Sequence, residues 1–194
     1  TLLLLNGTQC LNARTLRELA ERGISPEEFL AGGEILWKEE NLTPGGIRFL
    51  REGLSRKWHL REYEACLGGG IALLSCENPE YPGGLWDLPD PPVLLYCRGI
   101  FPSSSDIVGV VGTRRCSGYA WGVASALGRV LGERSLDVIS GGALGVDGAA
   151  HGGCLQGGGH TAAVFGTGVD MVFPLEHEEL FGNFGELLGQ GGIT

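Results

Sequence analysis

Along residues 13–22 apolar side chains recur at Leu16, Leu19 and Ala20, one side of a helix, and Gly23 is placed to end it in the left-handed conformation. Ser25-Pro26-Glu27-Glu28 predicts a second start: an N-cap, a proline at the first helical position and two acids facing the positive helix end. That helix is short and stops at Gly32-Gly33. Thr43-Pro44 repeats the start signal, and Ile47, Leu50, Leu54 and Trp58, three or four residues apart, predict one long amphipathic helix running towards Cys66. Its polar face carries Arg48, Arg51, Arg56, Lys57 and Arg61 with Glu52 and Glu62 between them, which reads as a solvated surface ahead of a nucleic-acid patch.

After Gly68-Gly69-Gly70 the pattern changes to short apolar runs alternating with helical stretches. Strands are predicted over 71–75, 93–97, 107–111, 138–139 and 161–165, and helices over 118–131, 146–155 and 176–188. In the first of these helices Ala120, Val123, Ala124, Leu127, Val130 and Leu131 share a face expected to be buried. Nearly continuous apolar strands separated by helices imply an α/β fold, a parallel sheet with helices on both faces, preceded by a small all-helical module over residues 1–67.

Three strands finish alike: Val110-Val111 runs into Gly112-Thr113-Arg114-Arg115, Val138-Ile139 into Ser140-Gly141-Gly142, and Val164-Phe165 into Gly166-Thr167-Gly168. The carboxyl ends of parallel strands line one crevice, so these turns are expected to converge. Glycine lets the main chain approach a ligand, and backbone N–H groups with the positive end of the next helix attract an anion. Arg114 adds a permanently charged fork suited to phosphate oxygens, and Ser117 is placed to cap the helix opening at Gly118. A phosphate-bearing ligand is the expectation; the dinucleotide pattern GxGxxG is absent.

Charge sharpens this picture. The 194 residues carry a formal net charge of -9, yet residues 1–70 hold nine basic and ten acidic side chains against five and thirteen in 71–194. A broad basic footprint for duplex DNA is thereby excluded from the second part, and any anion site there is local. Hydrophobic residues make up 43% and charged residues 19%, ordinary globular usage without an apolar run long enough to span a membrane, which reads as cytoplasmic. Cysteines at 10, 66, 76, 97, 116 and 154 lack zinc-site spacing and read as scattered reduced thiols. A chain that starts at Thr1 and stops at 191–194, where a new strand would begin, reads as a fragment. Asp147 and His151, four apart on one helix face, are read as a structural hydrogen-bonded pair rather than a metal or acid-base site, and His160 and His177 as surface residues. No serine or cysteine sits in a nucleophile arrangement, which favours binding over catalysis.

The ordered set VVGTRRCSGYAWG, VISGGALGVDGAAHGG and GGHTAAVFGTGVDMVFP, within 110–174, resembles the DNA-processing protein A family, DprA, also called Smf. The preceding NPEYPGGLWDLPDPPVLLYCRG is similar to that family's lead-in, so the likeness covers residues 75–180. The first module is similar in outline to the family's helical extension, helix-hairpin-helix or SAM-like, with Thr8-Gln9-Cys10 replacing the second hairpin glycine. The resemblance implies an extended Rossmann-like DNA-binding domain over 71–194, truncated, that binds single-stranded DNA, protects incoming DNA and helps load the RecA recombinase in natural transformation. It implies no enzyme, no cofactor and no metal, and a homodimer in the full-length protein.

Carried over by motif position, Arg114 is the principal phosphate-contacting cation, Ser140 and Gly141 line the same pocket, and Gly166, Thr167 and Gly168 close it. Gly112, Thr113, Arg115 and Ser117 complete the candidate set, and Tyr119, Trp121 and Phe173 are candidate base platforms. Two departures stand out: Leu175 follows Phe173-Pro174 where several relatives carry a lysine, and the family's arginine-rich turn lies beyond Thr194. An enzyme or sensor for a small nucleotide on the same kind of sheet is the alternative, with an interaction scaffold third.

Overall fold

Asn12, Ser25 and Thr43 each begin a helix by accepting a backbone hydrogen bond, from Thr15 at 2.9 Å, Glu28 at 3.2 Å and Gly46 at 3.1 Å. These caps satisfy amides that a helix start leaves without partners. The structure, a computed structural model, describes residues 1–99, 106–171, 173–182 and, for the backbone, 186–189. It divides into two compact units, Thr1–Leu95 and Tyr96–Thr194.

The first unit holds α1 (Leu2–Gly7), α2 (Ala13–Glu21), α3 (Pro26–Ala31), α4 (Gly33–Glu39), α5 (Pro44–Ser55), α6 (Trp58–Gly68) and the short strand β1 (Ala72–Ser75). Ser25 and Glu28 form a reciprocal capping box, and Gly23 takes a φ of 78° directly after α2, both as expected. Two helices depart from expectation. α4 was masked in the sequence by Gly32-Gly33, and it forms because Trp37 is buried with its indole N–H donating to the Phe29 carbonyl at 2.9 Å. The single long helix over 43–66 is two helices, broken where Lys57 takes a left-handed φ of 52°. The break lets α6 fold back against α1 and α5, with Trp58 edge-on to Phe49 at 5.3 Å, where a straight rod would leave its second half without a core. Leu4, Leu5, Leu16, Leu19, Phe29 and Leu50 fill that core.

The boundary between units falls within β2 (Leu94–Gly99). Beyond it come β3 (Ile107–Gly109), α7 (Gly118–Glu133), β4 (Asp137–Ser140), α8 (Val146–Gln156), β5 (Thr161–Phe165), α9 (Glu178–Gly182) and β6 (Glu186–Gly189). Their sheet order is β2-β6-β5-β4-β3. Pairs β3–β4, β4–β5 and β5–β6 are parallel, with Val108 opposite Val138, Ile139 opposite Ala162 and Val164 opposite Leu188. β2 joins antiparallel, Cys97 opposite Leu188. This is the expected α/β class, a largely parallel sheet preceded in the chain by a helical module.

The helix predicted over 176–188 is corrected: a 3-10 turn at Leu175–His177 and the five-residue α9 are followed by β6, with 183–185 outside the described residues. Backbone pairing with β5 on one side and β2 on the other outweighs a helical pattern already interrupted by glycines. Residues 191–194, where a further strand was expected, also lie outside the described residues.

α7 buries only part of the face its apolar residues predict. Ala124, Gly128, Leu131 and Gly132 are buried, whereas Val123, Leu127 and Val130 are exposed. Backbone contact between α7 and α8 explains why Val123, Leu127 and Val130 are left outside. A side chain on Gly128 would overlap the Ala150 carbonyl, one on Gly132 that of Cys154, and one on Gly153 that of Ser125. Only small residues permit so close a crossing. Gly122 has open space around it, and nothing in the structure explains it.

Candidate functional site

The turns after β3, β4 and β5 converge, as their placement at the carboxyl ends of parallel strands requires. They enclose a cavity of about 410 Å³. Arg114 comes from the first turn, Gly141, Ala143 and Leu144 from the second, Phe165, Gly166 and Thr167 from the third, and Phe173-Pro174 from the segment that follows. No carboxylate is among these lining residues, and no carboxylate pairs with Arg114 among the described residues. One exposed guanidinium thus stands over largely apolar walls. That combination holds a single anionic group beside a flat apolar one.

Of the expected residues, Arg114, Gly141, Gly166 and Thr167 meet at the cavity, and the others lie outside its lining. Ser117 caps α7 by accepting from Ala120 N–H at 3.2 Å, Thr113 Oγ1 accepts from Arg115 N–H at 3.3 Å, and the Gly168 carbonyl accepts from Met171 at 3.2 Å. Arg115 is exposed outside the lining. Ser140 is 3% exposed, its hydroxyl without a hydrogen-bond partner among the described residues. Gly112 is needed for packing rather than ligand approach, since a Cβ there would meet Val146 Cβ at 2.7 Å.

The expected role of the α8 start as an anion site is also corrected. Two of its first-turn amides are spent within the fold: Val146 N–H donates to the Thr113 carbonyl at 3.3 Å and Gly148 N–H to the Ala143 carbonyl at 3.1 Å. Buried Asp147 supplies the negative charge itself. Its Oδ1 accepts from Gly112 N–H at 3.2 Å and its Oδ2 from Ala143 N–H at 3.4 Å, tying the β3 and β4 turns together. A carboxylate in the first turn of a helix is favourably placed against the helix dipole.

Asp147 and His151 each have other partners than the mutual bond expected of them. His151 is fully buried, 2.7 Å from Thr161 Oγ1, which itself donates to the Val138 carbonyl at 2.8 Å. The hydroxyl proton being committed, His151 Nδ1 carries the hydrogen of that contact. Burial above all, then the charge of neighbouring His177, lowers its pKa to about 3, so it stays neutral. His160 lies 3.9 Å from Asp137 and is half-exposed. His177, expected at the surface, is half-buried: its Nδ1 donates to the Gly142 carbonyl at 3.0 Å and its ring meets Phe181 edge-on at 5.6 Å. Phe181 in turn packs on Phe165 at 5.1 Å.

Ala143, Leu144, Phe165 and Pro174 were not singled out from sequence; an apolar residue inside a glycine loop or at a strand end reads as core until the turns are placed. Phe173 is 62% exposed on the cavity, whereas Tyr119 and Trp121 are exposed away from it. Among the described residues no group of His, Cys, Asp or Glu is suited to a metal ion, and no helix is long and apolar enough to cross a membrane.

Comparison with known proteins centres on this unit. Residues 72–190 match the family described as DNA recombination-mediator protein A. Protein Smf of Synechocystis is 36% identical over 113 residues, 56% of this chain and 28% of that protein. DNA processing protein DprA of Streptococcus pneumoniae is 42% identical over 107 residues, 52% of this chain and 36% of that one. The chain therefore spans about a third of the length of the curated relatives it matches. Among solved structures, that of DprA from Streptococcus pneumoniae aligns with a TM-score of 0.67 at 28% identity, covering 81% of this chain and 56% of that chain. DNA processing protein A from Helicobacter pylori, in a structure on its single-stranded DNA binding mode, aligns with a TM-score of 0.55 at 27% identity over 63% of this chain and 57% of that one. The Rossmann-like α/β fold is shared with both.

Proposed function

The chain belongs to the DNA recombination-mediator protein A family, and we propose that its cavity binds single-stranded DNA, one phosphate on Arg114 and a base against Phe173 and Leu144. The observation that carries this reading is that, among the described residues, the Arg114 guanidinium has no carboxylate partner and stands beside apolar walls without a carboxylate. Single-strand binders combine backbone cations with aromatic surfaces that accept any base. Thr167 and the glycines Gly141 and Gly166 let the strand come close to the main chain.

In this reading residues 71–194 are the DNA-binding domain and residues 1–67 a helix-hairpin-helix or SAM-like module, acting in the cytoplasm as part of a longer mediator. That mediator protects incoming DNA and helps load RecA in natural transformation, as a homodimer and without catalysis. A second reading, a mononucleotide sensor or enzyme, draws on there being one cation among the described lining residues, which suits one phosphate as well as a strand. Fluorescence anisotropy with labelled oligo-dT, competed by thymidine monophosphate, separates the two. Single-strand binding is supported when the oligonucleotide binds tightly and the mononucleotide displaces it only at far higher concentration; comparable affinities favour the second reading.

A further inference from the structure

The loop Gly141–Leu144 that forms one cavity wall contains Gly142 at a φ of 68° and is followed by Gly145 at 83°. Such a segment has many conformations open to it in isolation, and its shape is set by what grips it. Asp147 Oδ2 accepts from Ala143 N–H at 3.4 Å on one side. His177 Nδ1 donates to the Gly142 carbonyl at 3.0 Å on the other. The His177 ring fits only because Gly148 has no side chain, since a Cβ there would lie 2.6 Å from Nε2. Neither residue lines the cavity.

We propose that Asp147 and His177 are positioning residues: from α8 and from the segment after Pro174 they clasp the 141–144 loop so that Gly141, Ala143 and Leu144 face Arg114 in a shape that accepts the strand. The inference rests on the single-strand DNA reading and adds the residues that set the site without touching the ligand. His177 does double duty, since through Phe181 it also backs Phe165, a wall of the same cavity. Gly142 closes the set: a side chain there would run into Phe165 at 2.7 Å, so loop and wall are fitted to one another.

The test compares the whole chain with His177→Phe, His177→Asn and Asp147→Asn for oligo-dT affinity, stoichiometry and the dependence of affinity on salt. Phenylalanine keeps the ring against Phe181 and removes the donor; asparagine places an N–H where Nδ1 stood. Asp147→Asn keeps one acceptor of two. A lost hydrogen bond weakens affinity about threefold to tenfold in His177→Phe and in Asp147→Asn. His177→Asn recovers most of it, and stoichiometry and salt slope stay at the wild-type values because no phosphate contact is removed. Equal affinity in all four proteins, with wild-type binding intact, overturns the inference alone. A shallower salt slope in His177→Phe also overturns it, because that residue would then be touching phosphate. Absence of oligo-dT binding by the wild-type chain overturns the proposed function and the inference together. Should His177→Phe unfold, Asp147→Asn and the asparagine rescue still decide the matter.

Discussion

The carboxylate of Asp147 accepts a hydrogen bond from the backbone N–H of Gly112, 35 residues earlier, at 3.2 Å. A helix-borne acid therefore fills the place where strand-end amides were expected to meet a ligand's phosphate, and it leaves Arg114 as the cation of the cavity. The site is less a nest of free amides than a guanidinium set on an acid-braced frame.

Removing that brace strips two part-buried amides of their acceptor. Asp147→Ala removes the acceptor of the Gly112 and Ala143 N–H groups, each bond contributing about 0.5–1.5 kcal/mol. Urea denaturation of the variant is expected to show at least one such loss; a stability equal to wild type contradicts the bracing role.

The helical glycines divide into two kinds that stability measurements will tell apart. Gly128→Ala drives a methyl into the Ala150 carbonyl and forces α7 away from α8, a destabilisation of about 1–3 kcal/mol of the overpacking kind. Gly122→Ala has open space and gains helix propensity, up to about 1 kcal/mol. Thermal melts should move in opposite directions for the two.

Acid sensitivity follows from His151. Its folded pKa, about 3, lies below the ordinary 6.5 of a free imidazole, so the unfolded chain binds a proton that the folded chain refuses. The stability contributed is complete above 6.5 and falls as pH drops through the window from 6.5 to about 3, by roughly 1.4 kcal/mol per pH unit at most. His151→Asn keeps a donor for Thr161 without a titrating ring, and its stability is expected to decline less steeply between pH 6.5 and 4. Parallel declines in the two proteins contradict this origin of acid sensitivity.

Much of both units was legible where local and tertiary signals agree. Thr161–Phe165 is an apolar run between glycine turns, and it is a strand in the fold. Ser25-Pro26 starts a helix in sequence and in space. Where tertiary contact decides, the reading departs from the structure: Lys57 breaks α5 from α6, Val123 and Leu127 face outward because glycines carry the α7–α8 crossing, and 186–189 pairs as a strand. At the site, Arg114, Gly141, Gly166 and Thr167 were visible as strand-end chemistry. Leu144 and Phe165 were not, since an apolar residue announces a cavity wall only once the cavity exists. The roles of Asp147 and His177 depend on partners 30 or more residues away, such as Gly112 and Gly142, which no local pattern encodes.

The central claim, a strand phosphate held by Arg114, is tested most directly by the salt dependence of oligo-dT binding in wild type and Arg114→Ala. One phosphate contact to single-stranded DNA contributes about 0.7 to the slope of log K against log salt, and a charged hydrogen bond about 1.5–3 kcal/mol. The account predicts a slope shallower by about 0.7 and an affinity reduced at least about tenfold. An Arg114→Ala chain that binds oligo-dT with the wild-type affinity and the wild-type slope would contradict it.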